Sequence, residues 1–435
     1  MILTSLMLLG ALPGGDLWAV RVKRAETVAK GPIEHALILV EDGRILAIGE
    51  DLPVERGIPV IEREDWVATP GWINCHTRVG FPRGMSSRTF DPQLSPEIEI
   101  DPRNDAWKEL LELGVTTVGV YPDGTGIPGQ AIVLRTRGDT LEEMLVHKPA
   151  YLSIHLQANS SSKNMLREAF SKVDEYEEKV AKEREKWEKE QEKKKSKSKS
   201  SKKDEDKDKK EEEKKEEEKK EEKKEDTLAT QDEKKEEKAS DAFVPPEPDE
   251  KVKPFLDLRA GTLEAMVSLS KAADYLHLLD VLEHEEKVHF SVEFPLRNDI
   301  DFYEVAPKIG EKKLLVVTQP ETTLQPNSIR ERNIPAELAR AGAKLVLVPR
   351  DDSVEGHEEW RTDVGRLIGQ GLSREAALAA VTLEAARVLD LGERLGSLEE
   401  GKQADIVFWS GDPFEPSTRV EAVMLEGRFV YGEVK

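Results

Sequence analysis

Short runs rich in apolar residues, bounded by charged or turn-forming ones, occupy three segments near the start of the chain, 16–23, 36–41 and 44–48. Runs of that length and setting read as strands. The last two are separated by Glu41-Asp42-Gly43-Arg44, whose Asp-Gly pair predicts a tight hairpin turn. The far end has the same texture. Segments 404–409 and 420–425 read as strands, and Glu426-Gly427 turns the chain into a third at 428–431. Between these ends strand-like and helical patterns alternate. Strands are predicted at 67–73, 116–120, 131–135, 151–157, 288–294, 313–318 and 344–348. Helices are predicted at 105–113, at 263–282 with Met266, Ser270, Ala273, Leu276 and Leu279 on one face, at 335–341, at 362–369 and at the alanine-rich 375–389.

Strands alternating with helices over this length predict an α/β fold with a parallel sheet, most naturally a (β/α)8 TIM-like barrel. The β-rich ends predict a small β-sandwich domain built from both chain termini. The expected domains are a composite β-domain from 16–65 and 395–435, and a barrel from 66–171 and 254–394. A charged low-complexity insertion occupies 172–253.

Composition changes this picture mainly through the insertion. Charged residues make up 35% of the chain, and part of that lies in runs such as 209-KKEEEKKEEEKKEEKKED-226, so the remainder reads as an ordinary globular sequence. Beyond Trp187 almost nothing in the run can be buried. It is either a solvated helix with i,i+4 ion pairs or a disordered segment. The basic cluster 193-KKKSKSKSSKK-203 is offset by neighbouring acids, so a solvated spacer is expected there rather than an anion site. The net charge of −22 opposes phosphate and argues against a nucleic-acid partner. The one cysteine, Cys75, permits no disulfide within the chain and no Cys-based metal cluster. The apolar start, MILTSLMLLGALPGG, is too short to span a membrane; residues 1–15 read as a signal peptide and predict an exported, periplasmic protein, the alternative being a packed segment of a cytoplasmic one.

The chemistry centres on 68-ATPGWINCHTRVG-80, where an apolar strand runs into Asn74-Cys75-His76-Thr77-Arg78. This stretch, with 41-EDGRILAIGE-50, 113-LGVTTVGVYP-122, 129-GQAIVLRTRG-138 and above all 381-VTLEAARVLDLGERLGSLEEGKQADIVFWSGDPF-414, resembles the amidohydrolase superfamily in its imidazolonepropionase-like branch. The resemblance covers nearly the whole chain outside the insertion. It implies a (β/α)8 barrel that holds one or two divalent metals, zinc among them, and hydrolyses C–N bonds in amides or cyclic amides. It also implies a His-x-His pair at the end of the first barrel strand, two imidazoles on one face. His76 matches the first, and Arg78 stands in place of the second. A guanidinium stays protonated, cannot ligate, and repels a cation by roughly 4 kcal/mol at 4 Å in a medium of intermediate dielectric.

The later ligands implied by the resemblance are missing from 264-EAMVSLSKAADYLHLL-279 and 288-VHFSVEFPLRNDIDFYEV-305, and His277, His284 and His289 read as structural or surface residues. The last barrel strand implies a metal-binding, proton-moving Asp, for which Asp352 is the candidate catalytic residue. The bland alternative is an ion pair with Arg350. His155 shares a polar face with Ser153 and Gln157 and is the second metal candidate beside His76. Three readings follow. The chain is a degenerate amidohydrolase that acts through a protein partner or an active paralogue. Or it is an active hydrolase of small amide-type substrates with a reduced, single-metal site, Arg78 binding an anionic substrate group. Or the Lys/Glu insertion is itself the functional, partner-binding part.

Overall fold

The strand-like segments at the two ends of the chain pair into one sheet. The structure is a computed structural model and describes residues 17–50, 52–81, 89–157, 159–212, 242–296 and 301–432. The apolar N-terminal segment and the stretch 213–241 of the insertion lie outside the described residues. At the start, β1 (Trp18–Glu26), β2 (Leu37–Glu41), β3 (Arg44–Gly49) and β4 (Val60–Pro70) follow in order. The central region supplies β5 (Trp72–Thr77), β6 (Val115–Val120), β7 (Ile132–Arg135), β8 (Tyr151–Leu156), β9 (Glu264–Leu269), β10 (Phe290–Phe294), β11 (Leu315–Thr318) and β12 (Lys344–Leu347). The end supplies β13 (Ile406–Trp409), β14 (Val420–Leu425) and β15 (Arg428–Tyr431).

The terminal sheet has eight strands and runs β15-β14-β13-β4-β1-β2-β3, with Pro32–Glu34 paired to β1. Its two halves join where β13 lies antiparallel to β4, Ile406 opposite Pro70 and Trp409 opposite Val67. Both hairpins turn as their sequences require. Asp42 and Gly43 have φ of 48° and 78°, and Glu426 and Gly427 have 45° and 72°, the left-handed pair of a two-residue turn. The two turns abut, so a Cβ on Gly43 would lie 2.8 Å from the Glu426 carbonyl oxygen. Beneath the sheet Val20, Val22, Ile38, Val40, Trp66, Ile406 and Phe408 form a core of their own.

The seven parallel strands fall in two sheets. In one, β5 and β6 are parallel and β7 is antiparallel to β6. In the other, β8, β9, β10, β11 and β12 are parallel in that order. Apolar residues from both converge: Ile73, Cys75, Val133, Met266, Val317 and Val346 share one buried cluster. The helices include α1 (Asp105–Glu112), α2 (Ser160–Glu212), α3 (Ala272–Val281), α4 (Val354–Gly369), α5 (Arg374–Ala380) and α6 (Leu383–Val388). Asn104 caps α1 and Ser353 caps α4, each accepting from a backbone N–H of the first turn.

Three elements differ in kind from the sequence pattern, and the helix expected at 362–369 begins eight residues earlier, at Val354. The strand expected at 67–73 is two strands broken at Gly71, β4 in the terminal sheet and β5 in a parallel one. No side chain fits at the break, since a Cβ there would lie 2.1 Å from Thr116 Oγ1. The helix expected over 263–282 is β9 followed by α3, because Glu264–Leu269 takes its place between β8 and β10. The alanine-rich helix expected over 375–389 breaks at Val381-Thr382 into α5 and α6. There Thr382 leaves helical geometry and the Val381 carbonyl accepts the N–H of Ile73.

The chain divides into two compact units, 1–166 with 254–435 and 167–253. In the second, α2 carries i,i+4 ion pairs Glu178–Lys182, Arg184–Glu188 and Glu185–Lys189 on its solvated surface. The returning segment touches the helix where Tyr176 donates to the Pro246 carbonyl at 2.8 Å and Trp187 meets Phe243, ring centres 6.0 Å apart.

Candidate active site

Strand register assembles the polar centre. His155 of β8 lies opposite Ser268 of β9, and Ser268 lies opposite Glu293 of β10. Cross-strand partners point to the same face, so three polar side chains form a row across three neighbouring strands. Ser268 Oγ donates to Glu293 Oε2. His155 Nε2 lies 3.4 Å from Ser153 Oγ, and its backbone N–H donates to the Gly126 carbonyl at 2.6 Å.

His76, at the end of β5, faces this row with Nε2 3.7 Å from Glu293 Oε2. Its ring stacks on Tyr121, centres 3.9 Å apart, and its Nδ1 lies 2.7 Å from Tyr151 Oη. Tyr151 donates its hydroxyl hydrogen to the Cys75 carbonyl at 3.1 Å. A carbonyl only accepts, so the phenol hydrogen points there and His76 Nδ1–H donates to the phenol oxygen. Nε2 is then the nitrogen with the lone pair. Burial pushes the His76 pKa down to about 4, with the nearby Asp352 charge working in the opposite direction, and the ring is neutral at pH 7. Burial likewise lowers the His155 pKa, opposed by Glu293 and reinforced by His76. It raises the phenols of Tyr121 and Tyr151, helped by the Asp352 and Glu293 charges.

Asp352 follows β12, and its Oδ1 accepts from Thr77 Oγ1 and the Arg78 N–H, both at 2.8 Å. The ion pair with Arg350 expected as the alternative is not formed. Arg350 turns instead to Asp363 at 2.5 Å and Glu321 at 2.9 Å. Arg78 sends its guanidinium to the Tyr121 carbonyl at 2.7 Å and to Glu99 at 3.1 Å, over the faces of Phe81 and Tyr121. An anionic substrate group would have to displace Glu99 to reach it. The structure therefore brings His76, His155 and Asp352 to one region, with Arg78 at its edge. Read with 263–282 as one helix, the sequence pattern does not single out Glu293, Ser268, Tyr121 or Tyr151. The same is true of His357, which ties α4 to β5, accepting from Asn74 Nδ2 at 2.9 Å and donating through Nδ1 to the Ser353 carbonyl at 2.7 Å.

Among the described residues the donor set does not complete a metal centre of the implied kind. A catalytic zinc site needs three protein ligands, and among the described residues no group of three or more His, Cys, Asp or Glu is placed to hold a metal ion. His76 Nε2 has the tautomer a ligand needs, but Asp352 Oδ1 already holds two hydrogens and the second imidazole position carries a cation. What the centre can do with its own groups is accept a proton at His76 Nε2 and hold one between Ser268 and Glu293.

Comparison with known proteins fits this architecture. The sequence profile of the Amidohydrolase family matches residues 352–431. The structure superposes on an amidohydrolase from Thermotoga maritima with a TM-score of 0.67 at 20% identity, covering 95% of this chain and all of that one. The chain is thus similar to the amidohydrolase family in sequence over 352–431 and to a solved amidohydrolase in fold. An imidazolonepropionase of Erwinia tasmaniensis is 62% identical over 39 residues, and an amidohydrolase of Hapsidospora irregularis is 42% identical over 57. These matches span 10% and 6% of the two relatives' lengths and 9% and 13% of this chain. Among the described residues no helix is long and apolar enough to cross a membrane.

Proposed function

We propose that this chain is a member of the amidohydrolase superfamily that has lost the metal-assisted hydrolysis of C–N bonds and acts as a binding or structural partner. The observation that carries the reading is the state of Arg78. At the position where the resemblance implies a second imidazole stands a permanent cation, fastened to Glu99 and to the Tyr121 carbonyl, whose own N–H holds Asp352. We read the two parallel sheets as the halves of a closed (β/α)8 barrel. The shared apolar cluster and the Asp352–Thr77 bond between the ends of β12 and β5 support that closure.

A second reading rests on a separate observation. His76 Nε2, the lone-pair nitrogen, faces Glu293 Oε2 at 3.7 Å, and such a pair could begin a reduced, single-metal hydrolase site. One experiment separates the two. The purified full chain is incubated with zinc, dialysed and assayed for bound metal, and a panel of lactams, cyclic imides and acyl-dipeptides is screened beside Asp352→Ala. Partnership without hydrolysis predicts no stoichiometric zinc and no turnover above the variant. A stoichiometric equivalent of zinc that disappears in His76→Ala, with turnover that disappears in Asp352→Ala, establishes the hydrolase instead.

A further inference from the structure

The segment that follows Thr89 lies against 126–130 and then reaches Arg78. Its first half is tied down by backbone: Asp91 N–H donates to the Ile127 carbonyl, Ile127 N–H to the Thr89 carbonyl and Gln130 N–H to the Leu94 carbonyl, all within 3.0 Å. Two glycines permit the approach, since a Cβ on Gly126 or Gly129 would lie 2.2 or 2.4 Å from the carbonyl oxygens of Thr89 and Leu94. Phe90 stacks on Phe255.

The second half is held differently. The short helix Pro96–Glu99 is fastened by two ion pairs, Glu97 to Lys148 at 3.0 Å and Glu99 to Arg78 at 3.1 Å, while Ile98 is 95% exposed. Beyond it the chain is fixed again where Trp107 Nε1 donates to the Asp101 carbonyl at 2.8 Å. Residues 95–100 are thus a short span between two anchored points, seated by buried Pro96 and the packing of Ile100 and closed over them by side-chain charges. Three contacts connect the span to the imidazole: Glu99 holds Arg78, Arg78 holds the Tyr121 carbonyl, and Tyr121 stacks on His76.

We propose that residues 95–100 form a flap clasped shut by the Arg78–Glu99 pair, and that release of this pair admits solutes to His76. Arg78 is then a positioning residue for the flap. This role goes beyond the loss of hydrolysis proposed above and holds whether or not metal binds. A guanidinium clasp suits the task because its fork holds a carboxylate and a carbonyl together. A partly exposed pair of this kind is also weak enough to open without unfolding the barrel and is screened by salt.

The test is the rate of carbethoxylation of individual histidines in the full chain, read by peptide mass mapping. His284 is exposed and serves as the reactive reference, whereas His357 is buried, has both ring nitrogens engaged by Asn74 and Ser353, and reports general loosening. In the wild type His76 should react far more slowly than His284. Glu99→Gln should raise the His76 rate about fivefold, the worth of one such ion pair, with His357 unchanged. Arg78→Lys, which keeps the charge but loses the fork, should fall between. If the variants do not fold, the wild type supplies the same test: raising the salt should speed His76 relative to His357. A His76 rate that ignores both Glu99→Gln and salt overturns the flap, and so does a rise shared equally by His76 and His357.

Discussion

Gly71 is the point at which the terminal sheet hands the chain to the parallel strands, and substituting it tests why the break is there. Its backbone is not in the left-handed region, so the demand is purely for space. A Cβ on Gly71 would sit 2.1 Å from Thr116 Oγ1, 2.5 Å from its Cγ2 and 2.8 Å from its Cβ. Thr116 is buried and β-branched, with little freedom to rotate away. The clash can be relieved only by parting β5 from β6 at their start, where Gly71 N–H and Trp72 N–H donate to the Asp405 and Gly114 carbonyls. Overpacking of a close-packed core costs about 1–3 kcal/mol. With three atoms under contact distance, Gly71→Ala should cost about 3 kcal/mol, the top of that range. Denaturant unfolding followed by tryptophan fluorescence is suitable, since Trp72 packs against Trp360 and Trp409 next to the break. Thr116→Ala removes Oγ1 and Cγ2 and leaves one short contact. In that background Gly71→Ala should cost only about 1 kcal/mol, a coupling of roughly 2 kcal/mol between neighbours. A cost below about 1 kcal/mol in the wild type, or an unchanged cost in the Thr116→Ala background, refutes the steric account.

Two further predictions concern charge. His76 has its pKa lowered from 6.5 to about 4, so between those values the unfolded chain binds the extra proton. Stability is therefore unaffected above pH 6.5 and falls as pH drops through that window, by on the order of 2 kcal/mol from pH 7 to pH 5. His76→Asn should flatten that slope in unfolding midpoints, and an unchanged slope counts against a neutral buried ring. Arg350→Met leaves the Asp363 carboxylate, 1% exposed, with only the Arg366 contact of the two ion pairs seen there. It should cost about 2 kcal/mol, whereas Arg350→Met with Asp363→Leu should recover most of that loss, because what destabilises is the stranded buried charge. A double variant no better than the single one would refute this.

The parts of the fold readable from sequence are those set by local chemistry. Asp42-Gly43 and Glu426-Gly427 fix their turns because few residues tolerate φ above zero at both positions. The strands beside them follow, whereas the arrangement of both chain ends in one eight-stranded sheet depends on long-range pairing that no local signal fixes. The misreadings come where a distant partner decides. Nothing in 375–389 marks Val381 as a break, because the break is made by the N–H of Ile73 in β5. Glu264–Leu269 fits a helical stripe with Ala273 and Leu276, and only its place between β8 and β10 makes it a strand. That one misreading hides half the site. With 264–269 taken as a helix, Ser268 has no register. As a strand it stands between His155 and Glu293, and the row is complete. The alternation Ser153, His155, Gln157 is the available signal, and the same parity on the next two strands extends it.

Arg78 looks, in the sequence, like a missing ligand. In the structure its three polar contacts fall on three separate elements. Its N–H holds Asp352 beyond β12, one arm holds the Tyr121 carbonyl just after β6, and the other holds Glu99 of the segment before α1. A metal ion could join some of these groups, but only while bound, at a strength set by its concentration. A guanidinium is covalently present and always charged. Its partly exposed pair with Glu99 is worth about 1 kcal/mol and can open, whereas its bond to the Tyr121 carbonyl needs no charged partner. A second imidazole at this position could neither stay charged at pH 7 when buried beside His76 nor reach two acceptors in a fork. Restoring it by Arg78→His would therefore unfasten Glu99 and Tyr121 without supplying the remaining ligands. The Arg78 side chain thus ties Glu99, before α1, to the Tyr121 carbonyl after β6, while the backbone N–H of the same residue holds Asp352 beyond β12, so one position joins three elements through two different kinds of group.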